Sequence, residues 1–230
     1  MTQTLLLENY SLLMAGIINL FMSIFLISRA QQSKMHLYFS LLTLFCFTWT
    51  LGLFLSRSMI DLSSTLLFTR STYVSAIAIM ISLLYFVIHF PYATNRLNSI
   101  HKMMVWIPAI LISILVYSNF FIVNIRHAYS EYEFSHSFYK LSYWIYFIYI
   151  IGISLVAVYF LLKKFSITEK LFENQVVLLL TTIIIAMIFG VYFNLFIIYF
   201  GDFRFNWLGP IFTVFMNMAV FRLLLFTKNK

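Results

Sequence analysis

Seven apolar runs, each long enough to cross the hydrocarbon of a bilayer, occupy almost the whole chain. They lie at about 9–27, 36–55, 66–90, 103–123, 141–162, 174–199 and 207–226. At 1.5 Å of rise per residue, about 20 mostly apolar residues span the hydrocarbon as a helix. Backbone polar groups in lipid must pair inside the protein, which leaves helices or a closed barrel. Barrel strands would show segments of about ten residues with alternating polarity, and these runs do not alternate. The sequence therefore predicts an all-α polytopic membrane protein with seven transmembrane helices.

Composition supports the same reading. Of 230 residues, 63% are hydrophobic and 10% charged, whereas a soluble domain carries about 25% charged residues. The intervening gaps, at 28–35, 56–65, 91–102, 124–140, 163–173 and 200–206, are too short for a soluble domain. Residues 1–230 read as one transmembrane domain. Cys46 is the only cysteine and lies in an apolar run, so no disulfide framework or cysteine metal site forms within the chain. The first basic residue, Arg29, follows the first apolar run. A secretory signal has its basic residues before the apolar core, so this run is not one.

The net charge of +8 does not point to nucleic acid, because the basic residues sit between apolar runs. With the N-terminus outside, Arg29, Lys34, Arg96, Lys102, Lys163, Lys164, Lys170, Arg222, Lys228 and Lys230 fall on the cytoplasmic side. Arg57, Arg70, Arg126, Lys140 and Arg204 fall outside. The acids Glu8, Asp61, Glu131, Glu133 and Asp202 are outside, and Glu169 and Glu173 inside. Excess Lys and Arg marks the cytoplasmic face. The expected topology is N-terminus outside and C-terminus in the cytoplasm.

Catalytic signatures are absent. There is no Gly-rich phosphate loop, HExxH or nucleophile elbow. His36, His89 and His101 fall near the inner face, and His127 and His136 in an outer loop. None pair at helical ligand spacing, so they read as interfacial or solvated and no metal site is expected. The seventh run has no lysine in its middle, so a retinal Schiff base has no attachment point. Arg70 lies at the outer edge of the third run, where it either snorkels to the headgroups or turns inward to meet an anion or an acid. Asn19, Asn194 and Asn217 lie within runs, and a buried amide in lipid needs a partner, so they are expected to face the bundle interior. Tyr143, Trp144, Tyr146, Tyr199, Trp207 and Trp106 sit near run ends and read as an interfacial belt. Trp49 lies deeper, facing the bundle or a cavity. Pro108 and Pro210 are candidate kinks.

These elements form a recognisable series: Trp49 late in the second run, Arg70-Ser-Thr-Tyr73 early in the third, and Phe90-Pro91-Tyr92 at its end. The seventh run opens with Trp207-Leu208-Gly209-Pro210-Ile211-Phe212-Thr213. The series resembles the seven-transmembrane sensor region at the N-terminus of many bacterial histidine kinases. The same module precedes diguanylate cyclase, adenylate or guanylate cyclase and phosphatase outputs. The resemblance implies a receptor bundle in the bacterial cytoplasmic (inner) membrane, with catalysis in cytoplasmic domains that follow the seventh helix. This sequence has no phosphoacceptor histidine motif, ATP-binding box or cyclase signature. It reads as a non-enzymatic sensor part, either excised from its output domain, the favoured reading, or a stand-alone version that signals through partners.

The expected function is a sensory module that detects an extracellular or lipid-borne small ligand and passes the signal through helix seven. The candidate ligand-binding residues are Trp49, Arg70, Tyr73, Asn194 and Trp207, and the candidate hinge is Gly209 with Pro210. No cofactor is expected. The partners that fit are membrane lipids, a small-molecule ligand, a cytoplasmic output domain or partner kinase, and a second copy of the chain as a homodimer. The alternative is a small seven-helix transporter, but such carriers show three-helix repeats and proline-glutamine pairs; no proline here precedes glutamine. An intramembrane hydrolase would need His and acid ligands clustered at one depth, and the runs hold none in their middle.

Overall fold

A computed structural model describes residues 3–31, 33–59, 61–91, 97–126, 135–167 and 170–226. Tyr92, Arg96, His127, Glu131, Glu133, Glu169, Lys228 and Lys230, used in the motif and charge readings, lie outside the described residues. The chain is a multi-pass membrane protein built on seven helices long and apolar enough to cross a bilayer. They are α1 (Gln3–Ile27), α2 (Lys34–Ser58), α3 (Leu62–His89), α4 (Ser99–Tyr117), α5 (Lys140–Ile167), α6 and α7 (Leu208–Phe226). α6 runs over Lys170–Val191, continues through a π-helical turn at Tyr192–Phe196, and closes with one α turn at Ile197–Tyr199.

Three helix starts are set by side chains that accept orphan backbone donors. Ser33 accepts from the Met35 amide, Asp61 from Ser64, and Asn98 from His101. Asp61 is thereby committed to α3, and its own carboxyl is held down at about 2, chiefly by the Ser63 hydroxyl. Pro210 is the third residue of α7. In that first turn a missing N–H costs nothing, so Pro210 begins the helix rather than kinking it. Pro108 does lie inside α4.

α3 is the centre of the bundle: 67% of its apolar window is buried, against 22% for α4. Apolar burial gives no preference for helix over lipid, so close approach and polar contacts fix the arrangement. At Gly52 a Cβ would lie 2.8 Å from the Thr72 methyl, so only glycine admits this approach of α2 to α3. Asn217 Nδ2 donates to Asn19 Oδ1 at 2.8 Å, joining α7 to α1 as expected for buried amides. Ser23 and Ser40 each donate to the other's carbonyl, joining α1 to α2. Lys164 was expected as an inner surface charge. It is buried, and its ammonium donates to the carbonyls of Val87, Ile88 and Phe90, closing the C-terminus of α3.

α4 ends at Tyr117, six residues short of the expected boundary. The chain then forms an antiparallel hairpin of β1 (Ile122–Arg126) and β2 (Ser135–Phe138), with Ile125 opposite His136 and an irregularity between Ile122 and Asn124. The hairpin lies at the end of the bundle where α1 begins, here the hairpin end; the other is the tail end.

Candidate functional site

A cavity of about 90 Å³ opens inside the hairpin half of the bundle, walled by α2, α3, α5, α6 and α7. Trp49, Leu53, Met80, Ile150 and Met216 give it a largely apolar surface. Its roof is aromatic. Tyr73 packs edge-on against Phe121, Phe138 and Tyr146, with ring centroids 5.2, 5.7 and 5.4 Å away. The hairpin supplies His136 to this roof. Its Nε2 lies 2.6 Å from the Tyr73 hydroxyl, and its ring lies tilted against Phe203 with centroids 4.5 Å apart. The histidine is only 7% exposed. Burial pushes it down to about 3, so the ring is neutral at physiological pH.

Most polar groups around the cavity are already engaged. Thr69, Thr72, Ser154 and Thr213 each donate to a carbonyl of their own helix. Asn194 differs. It is 9% exposed, lines the cavity, and its Nδ2 has no hydrogen-bond partner among the described residues. It sits in the π turn of α6, where the ladder is locally reorganised. The Tyr143 hydroxyl of α5 reaches into the same turn and donates to the Leu195 carbonyl at 2.7 Å. Asn194 also packs directly on Gly209 at the start of α7, where any Cβ would overlap its amide. The site therefore couples a polar donor, a π turn and the first turn of α7.

Of the five expected ligand residues, the structure brings Trp49, Tyr73 and Asn194 together around the cavity. Arg70 and Trp207 are not among its lining residues. The Arg70 side chain turns to the C-terminal end of α4, donating to the Ser118 carbonyl at 2.9 Å and to Asn119 Oδ1 at 3.2 Å. Its phase on α3 aims it at that helix end, not at the bundle axis. Trp207 is half-buried ahead of α7 and packs on the outer core. Gly209 and Pro210 open α7 beside Asn194.

The inward-facing arginine is Arg57. Its guanidinium donates to Glu8 at 2.9 Å, to Asn206 Oδ1 at 2.7 Å and to the Phe203 carbonyl at 3.4 Å. It ties α1, α2 and the α6–α7 connection together above the cavity. Three acids at this end are engaged away from Arg70: Glu8 with Arg57, Asp61 with its own helix, and Asp202 with Arg204. Asp202 is held below the usual carboxylate range by that Arg204 contact.

A family model described as the N-terminal 7TM region of histidine kinase matches residues 11–228. The chain belongs to this family of histidine-kinase sensor regions. No curated protein matches it. As a histidine-kinase 7TM region, the chain is a membrane sensory module, and the family implies a cytoplasmic output partner. The matched family is a sensor region, and no catalytic domain is indicated within it. Among the described residues, no three His, Cys, Asp or Glu side chains are grouped to hold a metal ion.

Several residues at or beside the cavity of this sensor region carry weaker signals in the sequence. His136 was read as solvated, yet Ser135-His136-Ser137-Phe138 carries a period-two signal that places His136 and Phe138 on one face of a strand. Tyr143 and Tyr146 were assigned to the interfacial belt and are fully buried. Their spacing of three puts both on one helical face, which was the available clue. Trp144 and Trp106 do stay exposed, as a belt requires.

Proposed function

We propose that this sensor region detects a small, neutral, mainly apolar ligand bearing a hydrogen-bond acceptor, held in the cavity between α2, α3, α5, α6 and α7. One observation carries the reading: the buried, unpartnered Asn194 amide facing an apolar cavity. A buried donor without a partner costs free energy that a ligand acceptor would recover. Pockets of this kind combine apolar walls with a few placed polar groups. A volume of about 90 Å³ is less than the roughly 150 Å³ that accommodates benzene in an engineered cavity. The ligand is therefore compact, or the roof moves on binding.

The signal path in this reading is short. An acceptor drawn to Asn194 moves its amide, which is in contact with Gly209 and the start of α7. α7 then carries the displacement to a cytoplasmic output such as a histidine kinase or cyclase. The ligand biases the bundle only by its differential affinity for the two arrangements. The hairpin end faces outward and the tail end faces the cytoplasm of a bacterial cell, a topology supported by the ten-to-five division of basic residues.

The test is autophosphorylation of the receptor joined to its output kinase in proteoliposomes, screened against small alcohols, ketones and amides. Asn194→Ala and Ala186→Phe, which remove the donor and fill the cavity, should abolish the response and leave basal activity. A full response from both variants sinks the reading.

A further inference from the structure

A second space lies on the outside of the bundle, toward the tail end. α3 forms its floor and α2 and α4 its walls, and its volume is about 1220 Å³. We propose that this groove is a binding site for an anionic phospholipid drawn from the surrounding leaflet.

The charge distribution selects the headgroup. Lys34, the first residue of α2, Lys102, in the first turn of α4, and His89, the last residue of α3, line the tail end of the groove. Among the described residues, no acidic side chain lines it. Both lysines are exposed, so their ammonium groups are available. The N-termini of α2 and α4 both lie toward this end, where their dipoles favour an anion against the opposing C-terminus of α3. An anionic phosphate would thus meet two ammonium groups.

The rest of the groove selects an acyl chain. Beyond the lysines its lining is apolar and aromatic, passing Ala78 and Ile110 toward Tyr117. From Lys102 to Tyr117 is 15 residues of helix, about 22 Å. That exceeds the roughly 15 Å depth of one hydrocarbon leaflet, so a full acyl chain lies along it. Between head and tail is a preformed aromatic step. Tyr38 stacks on Tyr85 at 5.1 Å and lies 4.9 Å from the ring of His89, and Trp106 Nε1 donates to the Tyr85 hydroxyl at 3.1 Å. Aromatic side chains with polar tips favour the depth where headgroup meets hydrocarbon. The space is larger than the 300–1,000 Å³ typical of drug-sized ligands, which suits a chain-bearing lipid better than a small metabolite.

The experiment is native mass spectrometry of the purified chain in neutral detergent, titrated with phosphatidylglycerol or with phosphatidylcholine of the same acyl composition. The expected result is retention of one phosphatidylglycerol in preference to phosphatidylcholine. A lysine near a membrane surface contributes a factor of about 5 in affinity, so Lys34→Gln and Lys102→Gln should each weaken retention about 5-fold, and together about 30-fold. Ser113→Phe, which fills the groove without changing charge, should weaken it as well, and keeps the test open if the lysine variants fail to insert. Equal retention of the two lipids would reduce the groove to bulk lipid contact and overturn the proposal. So would undiminished binding in the variants, or competition by soluble glycerol 3-phosphate, which would mark a phosphate site independent of the leaflet.

Discussion

His136 Nε2 lies 2.6 Å from the Tyr73 hydroxyl, across 63 residues of sequence, and this contact fastens the hairpin to the central helix. The rings of Tyr73, Phe138 and Phe203 pack around it, and burial keeps the imidazole neutral. The hairpin is consequently a roof held by a neutral histidine.

Acid should loosen that roof. His136 is held at about 3 in the folded chain against an ordinary value near 6.5. Between those values the unfolded state binds the extra proton, so stability rises with pH and is lost as pH falls below about 6.5. The loss is at most about 1.4 kcal/mol per pH unit in this window. Thermal unfolding of the purified chain should show a lower Tm at pH 5 than at pH 7.5, and His136→Gln should flatten this dependence. An unchanged slope in the variant would remove His136 as its source.

The two arginines of the hairpin end should differ in weight. Arg57 and Glu8 have side chains 7% and 25% exposed. Removing one partner of a well-buried pair costs about 3–5 kcal/mol, and the partial exposure of Glu8 reduces this to about 2–3. Arg70 makes two hydrogen bonds to neutral oxygens at a partly exposed helix end, where about 1–2 kcal/mol is at stake. Arg57→Ala should therefore lower Tm clearly more than Arg70→Ala. The reverse ranking would contradict the placement of Arg57 as the anchor.

Contact between Asn194 and Gly209 should appear as coupling. Gly209→Ala introduces a Cβ onto the Asn194 amide and should destabilise by about 1–3 kcal/mol. Asn194→Ala should recover part of that loss when combined with it, giving a coupling energy above about 0.5 kcal/mol in a double-mutant cycle. Strict additivity would mean that the two positions do not press on each other.

Topology can be read chemically. In a Cys46→Ser background, a cysteine at Ser137, exposed on β2, should label with an impermeant maleimide on intact cells. A cysteine at Ser166, exposed near the end of α5, should label only after permeabilisation. The opposite pattern inverts the proposed orientation.

Seven spans were legible because hydropathy over about 20 residues is a one-dimensional property. Depth was legible too: Trp49, Tyr73 and Asn194 do meet at one level. Rotational phase was not. Arg57 and Arg70 both lie at the hairpin end of their helices, and counting residues from a helix end cannot say which faces the axis. The hairpin escaped because β1 overlaps the apolar tail of the fourth run, which hydropathy alone extends as helix. Burial of Lys164 was hidden because its partners are backbone carbonyls, which no side-chain pattern advertises.

The π turn in α6 has a geometric cost and a use. An α-helix advances about 100° per residue, and a π turn absorbs one residue beyond the α repeat. The last turn of α6 thus runs about one residue out of step with the body of the helix. That offset lets Asn194, Leu195 and Ile198 all border the cavity while Tyr199 stacks on Tyr143 at 5.4 Å. A helical wheel drawn through α6 as a single α-helix would mis-aim its final turn. Deleting a single residue within Tyr192–Phe196 would remove the one the turn absorbs, so an unbroken α-helix would carry Ile198 and Tyr199 at nearly their present angle but without the widened turn that presents Asn194 and Leu195 to the cavity.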